Sequence, residues 1–346
     1  MATEQRGAAH WIDHFVVGTN DIGRWVEWAI DVIGVERHPI GGLTTEARNA
    51  GRPVASFMYM GDGSCHFGAF LQREQLPPTK GLGASTPRHG FYVRAADVEA
   101  HVRRLDAHGV LHTAPARTSA EGETGVAVHF EDPDGNQYEF WAPDDLPEGA
   151  MAVETSAGVG RISSIALGAR ELQRTADFFS AYCGMERVSN DDVPEDTLVL
   201  RLKAGARLVY HLTGEVDQRV IGHRPWYALH VAFTVPVEDY FSNYYRIWEG
   251  VPEWEDSTHE LDVSAEEEDQ LPARTGMHTS PAGRAWKKIY ERGDVFYDWD
   301  SHAFHFIGGI DVQGKGSLAF YQAKEQPEYL KELQEAIVRD GVPPRG

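Results

Sequence analysis

The sequence predicts an α+β protein made of four strand–helix–strands units in tandem, and three observations carry that prediction. The first is an internal repeat. Ile12 to Arg37 (IDHFVVGTNDIGRWVEWAIDVIGVER) returns 150 positions later as Ile162 to Arg187 (ISSIALGARELQRTADFFSAYCGMER). The second is a pair of short β-like runs, His89-Gly-Phe-Tyr-Val and His230-Val-Ala-Phe-Thr-Val. The third is a pair of closing segments, Asp132-Pro-Asp-Gly-Asn-Gln-Tyr-Glu139-Phe140 and Asp298-Trp-Asp-Ser-His-Ala-Phe-His305-Phe306.

Each element follows from these segments in turn. Both copies of the repeat open on an alternating apolar run, the mark of a strand, then change to a helical period. In the second copy Leu172, Thr175, Phe179 and Tyr182 fall on one helix face. Both helices stop at Gly-x-Glu-Arg, where glycine can take the left-handed cap. The runs at His89 and His230 each lead into a helical stretch, residues 97–108 and 237–248. Asp134-Gly135 in the closing segment of the second unit reads as a tight turn between two strands. The units therefore start near Ile12, His89, Ile162 and His230. Two consecutive units are expected to make a domain: residues 8–145 first, residues 160–312 second, with a Gly/Pro/Ala-rich linker between Pro143 and Gly160. The second domain carries an acidic insertion over 251–292, read as a solvated loop. Leu330, Leu333 and Ile337 suggest a helix in the tail 313–346.

Composition excludes several function classes. Lys and Arg number 32 against 53 Asp and Glu, a formal net charge of −21, which repels nucleic acid and anionic membranes. Two cysteines, Cys65 and Cys183, supply no disulfide framework, which fits a reducing cytoplasm. The sequence opens without the apolar core of a signal peptide, and no apolar run is long enough to span a membrane. Gly81-Leu-Gly-Ala-Ser-Thr lacks the third glycine of a phosphate loop, and there is no Gly-x-Ser-x-Gly elbow.

The histidines remain. His14, His89 and Glu139 each lie in a β-like run. Two neutral imidazoles and one carboxylate on adjacent strands can hold one face of a divalent ion, leaving positions for substrate and dioxygen. A strand histidine is more often a satisfied core residue, and a spacing of 75 and then 50 positions is no motif by itself.

The repeated units, the first-strand His14, the second-unit His89 and the Glu139 that follows Asp-Gly together resemble the vicinal oxygen chelate superfamily. That superfamily includes glyoxalase I, hydroxyphenylpyruvate dioxygenase and the extradiol catechol dioxygenases. The resemblance covers about residues 10–312, most specifically in Ile12-Asp-His14-Phe-Val-Val, Arg88-His89-Gly-Phe-Tyr-Val and the segment ending at Glu139-Phe140. It implies tandem βαβββ modules whose sheets enclose a metal, with His14, His89 and Glu139 as ligands. Cys65-His66-Phe-Gly-Ala-Phe70 is similar to the strand that carries the acid–base histidine of type I extradiol dioxygenases, which implies that role for His66. His129 stands where that family usually has a substrate-binding tyrosine. The second domain has Ser164 where His14 stands, keeps His230 and has His305 in place of Glu139, so it is expected to be a pseudo-site. His302 and His305 with His230 form a second candidate ligand set. Some ring-cleaving relatives pair their first module with their last, which would bring His14 to His230, and sequence leaves that pairing open.

The activity implied is Fe(II)-dependent ring cleavage of a catechol- or hydroquinone-like aromatic by dioxygen, with Mn(II) as a substitute metal, in a cytoplasmic homo-oligomer. Two other classes share the fold. A glyoxalase-like lyase or epimerase would add a glutamate at the end of the first module's last strand, where this chain has Phe-Gly-Ala-Phe-Leu-Gln. A non-catalytic small-molecule binder would need no ligand set.

Overall fold

The computed structural model describes residues 8–37, 55–61, 65–72, 76–79, 81–83, 86–214, 230–236, 243, 276–277, 296–297 and 302–308. The tail helix and nearly all of the acidic insertion lie outside these residues, as does the helix expected over 237–248 except Asn243, which is helical.

Four modules are present, and the first three repeat one pattern of strand, helix and three strands. The first holds β1 (Ile12–Thr19), α1 (Ile22–Trp28), β2 (Glu36–Arg37), β3 (Ala55–Met60) and β4 (Cys65–Leu71). The second holds β5 (Arg88–Tyr92), α2 (Val98–Ala107), β6 (Ala116–Thr118), β7 (Gly125–Glu131) and β8 (Gln137–Pro143). The third holds β9 (Ile162–Ala169), α3 (Leu172–Cys183), β10 (Glu186–Val188), β11 (Thr197–Arg201) and β12 (Arg207–Leu212). The fourth contributes β13 (His230–Val235), β14 (Gly276–Met277), β15 (Phe296–Tyr297) and β16 (Ala303–Gly308). In every module the first strand runs parallel to the last. Among the described residues no helix is long and apolar enough to cross a membrane.

Local chemistry explains the repeated first halves. Asp21 caps α1 by accepting the Arg24 N–H at 3.1 Å. The helix then widens into a π turn over Ala29–Ile33 and ends on Gly34 at φ +76°; α3 ends on Gly184 at φ +62°. Both glycines take the left-handed cap that the sequence signals. A Cβ on Gly34 would also stand 2.5 Å from the Ala157 Cβ.

The pairing of modules differs from the expected one. Consecutive modules do not share a sheet in the order 1–2 and 3–4. One eight-stranded sheet, here sheet A, runs β14-β15-β16-β13-β1-β4-β3-β2 and joins modules 1 and 4. The other, sheet B, runs β10-β11-β12-β9-β5-β8-β7-β6 and joins modules 2 and 3. The seams are antiparallel pairs of first strands, β1 with β13 and β5 with β9. The division into domains 8–145 and 160–312 is therefore replaced by an inner pair of modules and an outer pair.

One continuous apolar core lies between the two sheets and the helices. Phe15 of sheet A stacks on His89 of sheet B with ring centroids 4.2 Å apart. Trp28 of α1 packs on Tyr138 at 4.8 Å, and Trp25 meets Phe67 edge-on at 5.5 Å. The opposite sheet faces carry small apolar clusters of their own. On sheet A this is Val16, Phe57 and Phe70 with Tyr59; on sheet B it is Ala166, Val199 and Val209.

Candidate metal centre

Because strand side chains alternate between faces, register decides which polar groups meet. Across sheet A one register row reads Tyr59, His66, His14, Ala232 and His305. Across sheet B the matching row reads Arg201, Arg207, Ser164, Gly90, Glu139 and His129. The same frame thus carries imidazoles in one sheet and guanidinium groups with a carboxylate in the other.

In sheet A, His14 and His66 are buried and stacked, with ring centroids 4.2 Å apart and planes 29° apart. Asp13, also buried, places Oδ2 at 2.7 Å from His14 Nδ1 and 3.7 Å from His66 Nδ1. Donor atoms of the three residues all lie within 4.8 Å of one another. Tyr59 stacks on the other side of His66 at 4.8 Å. Burial, and then the nearby Asp13 charge, push its phenol upward, so it remains a proton donor.

The expected ligand set His14, His89 and Glu139 is not assembled, and this corrects the reading from sequence. His14 faces the row of sheet A, whereas His89 turns into the core between Phe15 and Tyr138. Its Nδ1 lies 3.2 Å from the Gln137 carbonyl. Burial lowers its pKa to about 4, which keeps the ring neutral. Register gives the reason: His89 pairs with Tyr138, and Glu139 pairs with the next residue, Gly90. His89 and Glu139 therefore point to opposite faces of sheet B.

Glu139 is already neutralised. Arg88 Nε lies 3.0 Å from its Oε2, and His129 Nε2 lies 3.1 Å from the same oxygen. Burial alone would raise this carboxyl, but the Arg88 charge and then the His129 hydrogen bond outweigh it and hold the group well below its ordinary range. Arg88 also pairs with Glu121. Arg207, nearly opposite, lies 4.7 Å over the Trp141 ring and within 3.9 Å of Glu121 and 3.8 Å of Glu123. His129, expected at the substrate, belongs to this ion-pair network. Ser164 lies in the same row, between Arg207 and Gly90.

His66 does come to His14, on the strand the motif named, but as a stacked neighbour sharing the same carboxylate. His305 lies in the row by its backbone register beside Ala232, and the pairing of modules 1 and 4 brings β13 against β1. Asp13 and Tyr59 were missed. Asp13 stands beside His14 in sequence, and alternation assigns it to the far face; Tyr59 gives no signal until β3 is registered on β4.

Residues 11–140 match the family described as the Glyoxalase/Bleomycin resistance protein/Dioxygenase superfamily. The match spans the first two modules, about a third of the chain. No curated protein matches it in sequence. Among solved structures it is similar to a candidate dioxygenase from Bacillus subtilis subsp. subtilis str. 168, at 14% identity and TM-score 0.58, covering 98% of both chains. It is also similar to glyoxalase I from Zea mays, at 15% identity and TM-score 0.53, covering 96% of both. These two structures share the fold of the chain over nearly its whole length. The buried group in sheet A offers two imidazole donors with a carboxylate beside them, a chemistry that fits a divalent metal.

Proposed function

We propose that this chain is a metal-dependent ring-cleavage dioxygenase, acting on a catechol- or hydroquinone-like aromatic at the row of sheet A, with Fe(II) as the metal. The observation that carries the reading is the buried group Asp13, His14 and His66, whose donor atoms gather within 4.8 Å. His14 and His66 would hold the ion beside Asp13. When bound, the ion supplies a centre at which a catechol's adjacent oxygens and dioxygen can meet. This moves His66 from acid–base work to metal binding.

The remaining roles fall to other residues of the same face. Val16, Phe57 and Phe70 form an apolar surface next to Tyr59. Such a surface suits a flat ring and excludes water. Tyr59, kept protonated, can donate a hydrogen bond to a substrate oxygen. Sheet B, with Glu139 held by Arg88 and His129, takes no metal in this reading.

The test is anaerobic loading of the full chain with Fe(II), followed by oxygen uptake and the appearance of yellow ring-fission products over a catechol panel. One metal per chain with oxygen uptake on a catechol supports the proposal. Metal binding without oxygen consumption on any diol would overturn it and favour a glyoxalase-like lyase.

A further inference from the structure

We propose that Asp13 is a positioning residue, which grips His14 through its Nδ1 atom and leaves Nε2 to the metal, and that it is not itself a ligand. The inference rests on the metal-centre reading above and deepens it.

The first support is the backbone. Ile12 pairs with Phe233 and His14 with Ala232, so β1 carries one extra residue there. That residue is Asp13. A β-bulge of this kind re-aims side chains that alternation would send to opposite faces. It explains how two consecutive residues, Asp13 and His14, bring their polar ends together.

The second support is distance. Asp13 Oδ2 and His14 Nδ1 are 2.7 Å apart, the length of a charge-assisted N–H···O bond. That bond engages the His14 Nδ1 and the carboxylate oxygen with each other, which leaves Nε2 as the ring's open donor.

The third support is the tautomer. His66 is stacked on His14 with planes 29° apart, and its Nδ1 stays 3.7 Å from Oδ2, too long for a hydrogen bond, so the grip falls on His14. A carboxylate on Nδ1 fixes the tautomer with its lone pair on Nε2, the form a metal requires. Burial of Asp13 leaves that role to the carboxylate rather than to water.

Two measurements on the full chain test this. The first needs no metal: ¹⁵N chemical shifts of the histidine rings in metal-free protein, with His14→Gln and His66→Gln to assign them. The expected result is a protonated Nδ1 and a bare Nε2 on His14. Protonation at Nε2 of His14 would overturn the proposal. The second is Co(II) titration followed by visible absorption and calorimetry. Asp13→Asn, whose amide oxygen still accepts from Nδ1–H, should keep one Co(II) per chain and an unchanged band pattern. Its affinity should fall by about 10-fold, and that of Asp13→Ala by up to about 100-fold, the range seen for outer partners of metal ligands. A changed band pattern in Asp13→Asn, with binding lost as completely as in His14→Ala, would make Asp13 a ligand and overturn the proposal. Unaltered affinity in Asp13→Ala would overturn it as well. Should the wild-type chain take up no Co(II), the metal-centre reading fails, while the ¹⁵N result still reports on the Asp13 grip.

Discussion

Substituting Glu139 by Gln separates the two accounts of this residue. As a metal ligand it would be needed for binding; as the partner of Arg88 it would be needed for stability. Both side chains are almost wholly buried, at 5% and 3% exposure, with Nε–Oε2 at 3.0 Å. Removing one member of such a pair costs about 3–5 kcal/mol, because the other charge stays buried. Glu121 continues to neutralise Arg88, which places the expected loss at the lower end, about 3 kcal/mol. With an unfolding entropy of about 2.1 cal/mol/K per residue, the 346 residues give roughly 0.7 kcal/mol/K. The melting temperature should therefore fall by about 4 °C if the chain melts as one unit. The pH dependence follows from the same contact. The native carboxyl binds its proton less tightly than the unfolded one, whose ordinary pKa is 4.5. The advantage of wild type over the variant should then be full at neutral pH and shrink as pH falls through 4.5 and below. Calorimetric melts from pH 7 to pH 3, beside metal analysis of the neutral preparations, make the assay. An unchanged melt with the metal lost would refute the reasoning.

Other outcomes follow from the same geometry. His14→Ala and His66→Ala should each strip the metal in elemental analysis, while His89→Ala should retain it and lose about 2–4 kcal/mol of stability in urea melts, since it empties a core site against Phe15. His89 also sets an acid limit. Its native pKa of about 4 lies below its ordinary 6.5, so wild type should lose about 3 kcal/mol relative to His89→Phe as pH falls from 6.5 towards 4. Tyr59→Phe keeps the stack on His66 and should keep the metal, but oxygen uptake should slow by about tenfold or more. Gly34→Ala should destabilise by more than about 1 kcal/mol, because φ is +76° and Ala157 leaves no room.

The modules were legible in sequence because their signals are local. The alternating run at Ile12, the glycine stop at Gly34 and the turn at Asp132 each act within a few residues. The turn shows this well: Asp132 Oδ1 accepts the backbone N–H groups of Asp134 and Asn136, both at 2.9 Å. Pairing between modules was not legible, since every first strand offers a similar apolar edge and nothing local chooses among them. Face was the second obstacle. His89 and Gly90 differ by one position, and that one position decides between the core and the Glu139 row. The motif around His66 named the right strand because β4 lies beside β1 within the first module. Asp13 was hidden by the bulge, an irregularity that periodicity reads as a far-face residue.

The nesting of module pairs also orders assembly. Sheet B draws on residues 88–212 and is complete once β12 has formed. Sheet A needs β1 to meet β13, with Phe15 opposite Val231. Contacts so distant along the chain close slowly, because loop entropy must be met before they form. During synthesis the inner sheet can be finished while β1 still waits with a bare edge, exposed to unwanted strand addition. The bulge at Asp13, whose register exists only against β13, is then among the last features to form. Folding intermediates of this protein should carry a finished arginine network and no competent metal centre.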